Sequence, residues 1–364
     1  MNRKHRQSNY CYQEQVHNSN EWEPFMFDGM ELPLHQVFQL ISVTEKDIDV
    51  AIKRTRDLCM YARSDENKKI GLEFLYSHGL LDELDELIAT NLQTNNPDNM
   101  KWAKIYQIMN DRKRSDNSPL DIAQPMDYLN RLNDIDISGV ELQCLNDFLR
   151  IFCEFDINQY RNFGTYSERL REMIQQIDDP LIRDLFSSRL DEAFAIFHWK
   201  RNEMILARKF GYRILNATKS QKKKIDIHNM MALGYLYDNY QQAMYHANEA
   251  LEIAKEINSV SALQGLNNFT IPFICAYHRK TEGISSNIQS EIAHIALAKG
   301  DYKTCIEILR NAETLTPFQQ YYLGKALQDE QLLQESYHRF INERSDYFYA
   351  KLPVYELRKL NAFQ

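Results

Sequence analysis

The chain has 364 residues of ordinary globular composition, 44% hydrophobic and 26% charged, and this length suits a repeat array better than one compact core. Its 11 glycines and 9 prolines are few, which argues against β-rich and dinucleotide-binding folds and favours helices joined by short loops. The formal net charge of −8 excludes nucleic-acid binding over the whole surface, so any DNA contact must be confined to a local basic patch.

The first 32 residues are polar, rich in Asn and Gln, and hold no sustained helical face. Residues 22–41 (WEPFMFDGMELPLHQVFQLI) resemble the end of a helix-turn-helix recognition helix, which often closes with an apolar-x-Gly turn. Pro24 would break such a helix and Glu23 would repel phosphate, so residues 1–43 are predicted to be a short, degenerate helix-turn-helix-like segment. The weak candidate DNA contacts in this segment are Arg3, Lys4 and Arg6.

From about residue 33 onward, apolar residues recur with the helical period, and the segments fall into pairs joined by short polar turns. Such pairs are typical of αα-hairpins. The predicted pairs are 65–78 with 81–91, 180–198 with 204–216, 226–237 with 240–257, 286–299 with 302–312, and 318–327 with 332–342.

Two stretches in the second half share a repeat layout: NYQQAMYHANEALEIA at 239–254 and GDYKTCIEIL at 300–309. A turn residue, a Tyr, a small residue and then Leu or Ile is typical of the second helix of a tetratricopeptide unit. In such a unit the Tyr closes the hairpin, while Ala or Cys lets the helix backbones approach. The predicted fold is all-α, a right-handed superhelical solenoid of tetratricopeptide-like hairpins over residues 44–345, closed by a capping helix over 346–364.

No motif for catalysis, nucleotide binding or metal binding occurs, and the ten histidines stand singly, so the sequence predicts neither an enzyme nor a cofactor. The six cysteines are scattered without a Cys-x-x-Cys pair. Because 18 consecutive apolar residues and a signal peptide are both absent, we expect a cytoplasmic protein with reduced thiols and no membrane contact.

The remaining candidate site is the concave face of the solenoid, which the first helix of each pair lines. Asn, Asp, Glu and Lys on that face can bond the main chain and the ends of a peptide, and Leu and Tyr can form its side-chain pockets. Basic runs at 112–114 and 222–224 are more often solvated helix ends or loops than binding sites.

Residues 345–360 (SDYFYAKLPVYELRKL) resemble the closing segment of the AimR family, the arbitrium peptide receptors of temperate Bacillus phages. The family pattern is Asp-x-Phe-x-x-basic-Leu-Pro-x-x-Glu-Leu, with a basic residue shortly after it. This chain matches that pattern at Asp346, Phe348, Lys351, Leu352, Pro353, Glu356, Leu357 and Lys359. Looser similarity over short phrases at 27–29, 239–243, 293–294, 306–309 and 321–323 extends the resemblance along nearly the whole chain.

The resemblance implies a quorum-sensing receptor that joins a DNA-binding helix-turn-helix to a tetratricopeptide-like domain, in which a short imported peptide shuts off activation of a lysogeny-controlling transcript. It implies that Asp346 pairs with an arginine of the peptide, that Glu291 is a groove carboxylate, and that Lys222 holds the peptide's C-terminal carboxylate. Leu236 and Tyr349 fall at apolar pocket positions. An N-cap role is the alternative for Asp346, and an exposed loop position is the alternative for Lys222.

Three features depart from the family pattern. The helix-turn-helix is shortened, and Ile196, Lys200 and Leu233 or Tyr235 replace the asparagines that hold the peptide backbone. Residues 361–364 stand where the family has a leucine-rich dimerisation tail, so a homodimer stays an open alternative. The prediction is a peptide-gated transcriptional regulator of the lysis–lysogeny decision, with a short signalling peptide as its partner. The alternative is a peptide-binding tetratricopeptide module that acts on a protein partner without DNA binding.

Overall fold

The computed structural model describes residues 21–115 and 123–362, and it describes side chains as far as residue 360. Over these residues the protein is an all-α solenoid of helix hairpins with one short β-hairpin at its start. The first eight helices are α1 (Leu34–Thr44), α2 (Ile48–Tyr61), α3 (Asp65–His78), α4 (Leu81–Leu92), α5 (Pro97–Arg114), α6 (Ala123–Asn133), α7 (Val140–Asp156) and α8 (Phe163–Ile174).

The later helices carry most of the candidate site. They are α9 (Pro180–Lys200), α10 (Met204–Ala217), α11 (Gln221–Gly234), α12 (Tyr240–Glu256), α13 (Val260–Gly265), α14 (Ile271–Tyr277), α15 (Gln289–Lys299), α16 (Tyr302–Arg310), α17 (Pro317–Leu327), α18 (Glu330–Asn342) and α19 (Lys351–Ala362).

The chain enters the solenoid through a 3₁₀ turn, Glu23–Phe25, and a two-stranded hairpin of β1 (Met26–Phe27) and β2 (Met30–Glu31). Asp28 and Gly29 both have positive φ angles, 50° and 75°, as a two-residue hairpin loop requires. The sequence predicts the end of a recognition helix here, and the structure instead has this turn and hairpin, which Pro24 and the Asp-Gly pair favour. The predicted DNA contacts Arg3, Lys4 and Arg6 lie outside the described residues.

All five predicted hairpins are confirmed. Polar capping residues explain where several of their helices begin. The side chains of Ser64, Asp179, Ser220, Asn239 and Asp329 each accept a backbone N–H at the start of a helix. Left-handed glycines end the first helices of two pairs, at Gly79 and Gly300.

The small residues of the repeat text are fully buried between helices. Ala243 and Cys305 are 0% exposed, as the repeat layout predicts. Tyr240 packs on His278, with ring centroids 5.1 Å apart. Tyr302 is 51% exposed. The contacts of Tyr240 are with residues after α12, so neither tyrosine is seen to close its own hairpin as the repeat layout predicts.

A π-helical segment, Leu266–Thr270, joins α13 to α14 without a break. Its cause is Pro272, which has no N–H to donate to the carbonyl of Asn268 one turn earlier. That carbonyl instead accepts a hydrogen bond of 2.8 Å from the hydroxyl of Ser286. The segment leads directly into Phe273, a buried ring of the candidate site.

A buried ion pair links the start of the solenoid to its middle. The guanidinium of Arg189 on α9 donates to both carboxylate oxygens of Glu73 on α3, at 2.6 and 2.7 Å, and Glu73 is 0% exposed. The hydroxyl of Tyr106 donates to the same carboxylate. Because each partner would be an uncompensated buried charge without the other, this pair fixes α3 against α9.

Candidate functional site

Four of the five predicted peptide-binding residues lie in the C-terminal half, and all four are buried. Leu236 is 0% exposed, Asp346 2%, Glu291 6% and Tyr349 8%. They come from elements far apart in sequence, namely α15, the turn after α11 and the turn before α19. The solenoid therefore brings together most of the residues that the resemblance selects.

Glu291 lies within a group of aromatic residues that we call the acidic aromatic cluster. The His294 ring stacks on Tyr322 at 4.3 Å, and its other neighbour Phe273 lies 5.3 Å away. Tyr349 lies 5.9 Å from Phe273 between ring centroids. The members of the cluster are Trp199, Phe273, Glu291, His294, Tyr322 and Tyr349.

Within the described part of the chain, no cation lies beside the carboxylate of Glu291. His294 Nδ1 is 3.7 Å from Glu291 Oε2, which is too long for a hydrogen bond, and burial lowers the pKa of His294, so its ring is neutral at pH 7. Burial, with Glu291 nearby, raises the pKa of Tyr322 and of Tyr349, so both keep their hydroxyl protons. A positively charged group is the partner that such a carboxylate lacks.

Several buried polar atoms of the cluster have no hydrogen-bond partner among residues 21–115 and 123–362. They are Trp199 Nε1, Glu291 Oε2, His294 Nδ1 and the Tyr322 hydroxyl. Buried polar groups in native proteins are nearly always hydrogen-bonded, so several such atoms together indicate a place where a polar ligand or water completes the bonding. Chemically, the cluster can accept hydrogen bonds from an ammonium or guanidinium group against aromatic walls.

Asp346 is already engaged on both oxygens. Its Oδ1 accepts the backbone N–H of Tyr349 at 2.9 Å, which caps the turn at 347–350 and not the last helix, α19, which begins at Lys351. Its Oδ2 accepts a hydrogen bond of 2.6 Å from the ammonium of Lys200, the last residue of α9. The ion pair with an arginine of the ligand stays a prediction, and Lys200 would compete with it.

Further contacts join residues 346–351 to residues 199–202, and we call this set of contacts the C-terminal latch. The Tyr347 N–H donates to the Lys200 carbonyl at 2.8 Å, and Trp199 packs on Phe348 with ring centroids 6.0 Å apart. The hydroxyl of Tyr237 donates to the Phe348 carbonyl at 3.1 Å. The latch holds residues 346–351 against the end of α9 in the middle of the solenoid.

Leu236 packs in the core of the C-terminal half together with Tyr349. Its carbonyl accepts a hydrogen bond of 2.9 Å from His278 Nε2, in the tautomer that carries a proton there. Its apolar pocket role stays a prediction, since a side chain this buried reaches a ligand only if the surrounding helices shift.

Lys222 lies apart from the other four, in the first turn of α11. It packs against the end of α3, where a Cβ atom added to Gly79 would be 3.4 Å from Lys222 Nζ. The Nζ of Lys113 donates to the Tyr76 carbonyl at 3.1 Å in the same place and lies 3.9 Å from the Tyr76 ring centroid. Among the described residues, neither lysine has a carboxylate partner within 4 Å, so the two form an unpaired lysine site.

Sequence reasoning missed Lys113 although it noted the run at 112–114. The helical period sends its three members in different directions. Arg112 pairs with Asp156 at 2.7 Å and Arg114 with Asp82 at 2.7 Å, while Lys113 lies over the Tyr76 ring at the end of α3. Burial lowers the pKa of Lys113 to about 8, with Arg189 as the strongest neighbouring charge. No local signal in the sequence separates Lys113 from the two arginines beside it.

Metal ligation and membrane insertion have no support within 21–115 and 123–362. Those residues hold no group of three or more His, Cys, Asp or Glu placed to bind a metal ion. None of the helices described there is both long and apolar enough to cross a bilayer.

Fold and site together define an α-helical repeat protein with two candidate binding features. One is the buried acidic aromatic cluster, and the other is the unpaired lysine site near the end of α3. The chain belongs to the AimR transcriptional regulator-like family, whose model matches residues 54–359. It is thus an AimR-type regulator by family.

Two solved structures share the fold of this chain, and a curated Bacillus anthracis protein shares part of its sequence. The structure of phAimR with a ligand superposes with a TM-score of 0.71 at 15% identity, covering 91% of this chain and 98% of that chain. The selenomethionine form of phAimR gives a TM-score of 0.64 at 14% identity, over 89% and 86% of the two chains. At these identities the likeness shows the fold alone. An uncharacterized Bacillus anthracis protein, pXO2-35, is 27% identical over 229 residues, which are 60% of this chain and 84% of that protein.

Proposed function

We propose that this AimR-type regulator is gated by a short signalling peptide, which it binds between the acidic aromatic cluster and the unpaired lysine site. In this proposal the peptide's positive group bonds Glu291, and its C-terminal carboxylate bonds Lys222 and Lys113. The observation that carries it is the buried Glu291 carboxylate, which has no cationic partner and lies among unpaired polar atoms. The likeness to a phAimR structure with a ligand supports it as well.

The length of α11 suggests the size of peptide that we propose. Lys222 lies in the first turn of α11, and Tyr237, just beyond the end of this helix, contacts Phe348 of the C-terminal latch. A helix of this length spans about 21 Å at 1.5 Å per residue. An extended hexapeptide spans about 20 Å, which is similar to the length of α11. Opposite charges at the two ends would also fix the direction in which the peptide lies.

The unpaired lysine site predicts that peptide affinity depends on pH. Because the pKa of Lys113 is lowered to about 8, its ammonium loses its proton as the pH rises from 7 to 9. We expect affinity for a hexapeptide with a free C-terminus to fall over that interval, as measured by calorimetric titration. The Lys113→Arg variant keeps its charge and should lose most of that fall, which separates Lys113 from the titrating amine of the peptide. Equal pH dependence in both proteins would contradict the role of Lys113.

The proposal as a whole is tested with synthetic hexapeptides taken from any short reading frame found next to the gene. A matching peptide should raise the melting temperature by several degrees at saturating concentration, because it binds only the folded state. A scrambled peptide of the same composition is the control. If no such hexapeptide shifts the melting temperature, the peptide-receptor proposal fails.

The regulatory half of the proposal is that peptide binding controls DNA contact by the N-terminal segment, and thereby the choice between lysis and lysogeny. The proposed DNA contacts are Arg3, Lys4 and Arg6. The peptide can shift this activity only by its difference in affinity for two conformations. The C-terminal latch is a described contact that could differ between those conformations, since it joins segments 146 residues apart.

The second candidate function is a peptide-binding module that acts on a protein partner without DNA. It is favoured by one observation: the family match begins at residue 54, after the predicted DNA-binding segment. Gel shifts with upstream DNA at rising salt separate the two functions, because phosphate contacts weaken steeply as salt increases. Salt-sensitive retardation supports the regulator, whereas no retardation at low salt favours the protein-directed module.

A further inference from the structure

Two buried carboxylates of the C-terminal half, Asp346 and Glu291, differ in their hydrogen-bond partners. Asp346 is 2% exposed and bonded to Lys200 at 2.6 Å. Glu291 is 6% exposed, and its Oε2 has no hydrogen-bond partner. Burial, and after it the charges of Asp346 and Glu291, raise the pKa of Tyr349, so both carboxylates lie near that ring.

Lys200 is fixed in position by more than its ammonium group. Its carbonyl accepts the Tyr347 N–H at 2.8 Å, so its main chain is held beside the residue that follows Asp346. Its side chain is only 22% exposed, and the Asp346 side chain is 3% exposed. A ligand cation could reach Asp346 only by displacing a lysine that is attached to the same segment through its backbone.

We propose that Lys200 determines the charge of the ligand that this protein accepts, because it neutralises Asp346 from within and leaves Glu291 as the carboxylate that a ligand cation would pair with. The inference rests on the proposed peptide-binding function and narrows it. The ligand class is a short peptide with one positively charged group directed at the acidic aromatic cluster, rather than one with two. That group is either the N-terminal amine or one Lys or Arg side chain.

The test uses a soluble synthetic pool of hexapeptides of random sequence, half of which are N-acetylated. The pool is passed over the immobilised full chain, and the retained peptides are identified by mass spectrometry. The wild-type protein should retain peptides with a single positive group. Lys200→Gln leaves Asp346 without its partner and should enrich peptides with a second Lys or Arg by roughly tenfold, the effect of one charge-assisted bond. Lys200→Arg keeps the internal cation and should select as the wild type does.

The second variant, Asp346→Asn, removes the negative charge of the pair and leaves the Lys200 ammonium unpaired. It should enrich peptides that carry an Asp or Glu. The double variant Lys200→Gln/Asp346→Asn removes both charges and should select as the wild type does. It also controls for folding, because it leaves neither member of the Lys200–Asp346 pair as an unpaired charge.

The outcomes separate this inference from the proposed function. If no protein in the set retains any peptide, peptide binding itself is refuted. If wild type, Lys200→Gln and Asp346→Asn all bind and select peptides of the same charge, the peptide-binding proposal stands and the role of Lys200 is overturned.

Discussion

The Glu291→Gln variant is expected to bind its hexapeptide roughly 10- to 100-fold more weakly than the wild type, which corresponds to the 1.5–3 kcal/mol of one charge-assisted hydrogen bond. Glutamine keeps the size of the side chain but cannot compensate a positive charge. The buried setting makes this loss larger than it would be on the surface, because Glu291 is 6% exposed and its neighbours are aromatic. Calorimetric titration at one pH and salt concentration measures it.

A matched control for that variant is Glu307→Gln on α16, whose carboxylate is exposed and pairs only with the lysine one turn before it, at 3.9 Å. It removes the same charge from the protein at a distance from the cluster. We expect its affinity to stay within twofold of the wild type, since exposed pairs contribute little. A loss as large as that of Glu291→Gln would assign the effect to net charge instead.

The Glu73→Gln variant is expected to lose about 3–5 kcal/mol of unfolding free energy, because it leaves the Arg189 guanidinium buried without a counter-charge. Arg189 is 4% exposed and already has one nitrogen, Nη1, without a hydrogen-bond partner. The rings of Tyr76, Phe148 and Phe186 lie around it within 5.3 Å, so little water can replace the lost carboxylate. Urea denaturation followed by circular dichroism gives the change.

A double-mutant cycle completes this prediction. Arg189→Met alone should also destabilise, since it leaves Glu73 unpaired at 0% exposure. Glu73→Gln with Arg189→Met should lose less than the sum of the two single changes, because neither buried charge is then left alone. Additive losses would mean that the two side chains do not act as a pair.

The repeat architecture could be predicted from the sequence because it depends on local signals. Polar N-caps such as Ser220 and Asn239, and the left-handed Gly79 and Gly300, delimit helices within a few residues of the predicted bounds. Stacked hairpins then need only contacts between neighbours, so local signals fix the architecture. The Asp28-Gly29 hairpin was missed because it was interpreted as the close of a helix, although Asp-Gly between apolar residues is a strong hairpin signal.

The candidate site could be predicted only in part because its contacts join distant segments. Family similarity selected Asp346 and Glu291, but no local pattern shows that Lys200 reaches Asp346 across 146 residues. Lys113 and Lys222 meet only because α5 and α11 both pack near the end of α3. Such partners are fixed by the relative placement of helices, which periodicity does not encode.

The central claim is that one extended ligand bridges the acidic aromatic cluster and the unpaired lysine site. Hydrogen–deuterium exchange with and without a bound hexapeptide tests it most directly. We expect added protection in two separate regions, the backbone around 289–294 with 345–350 and the backbone around 219–223. Binding that protects neither region, or that protects only segments elsewhere in the solenoid, would contradict the account.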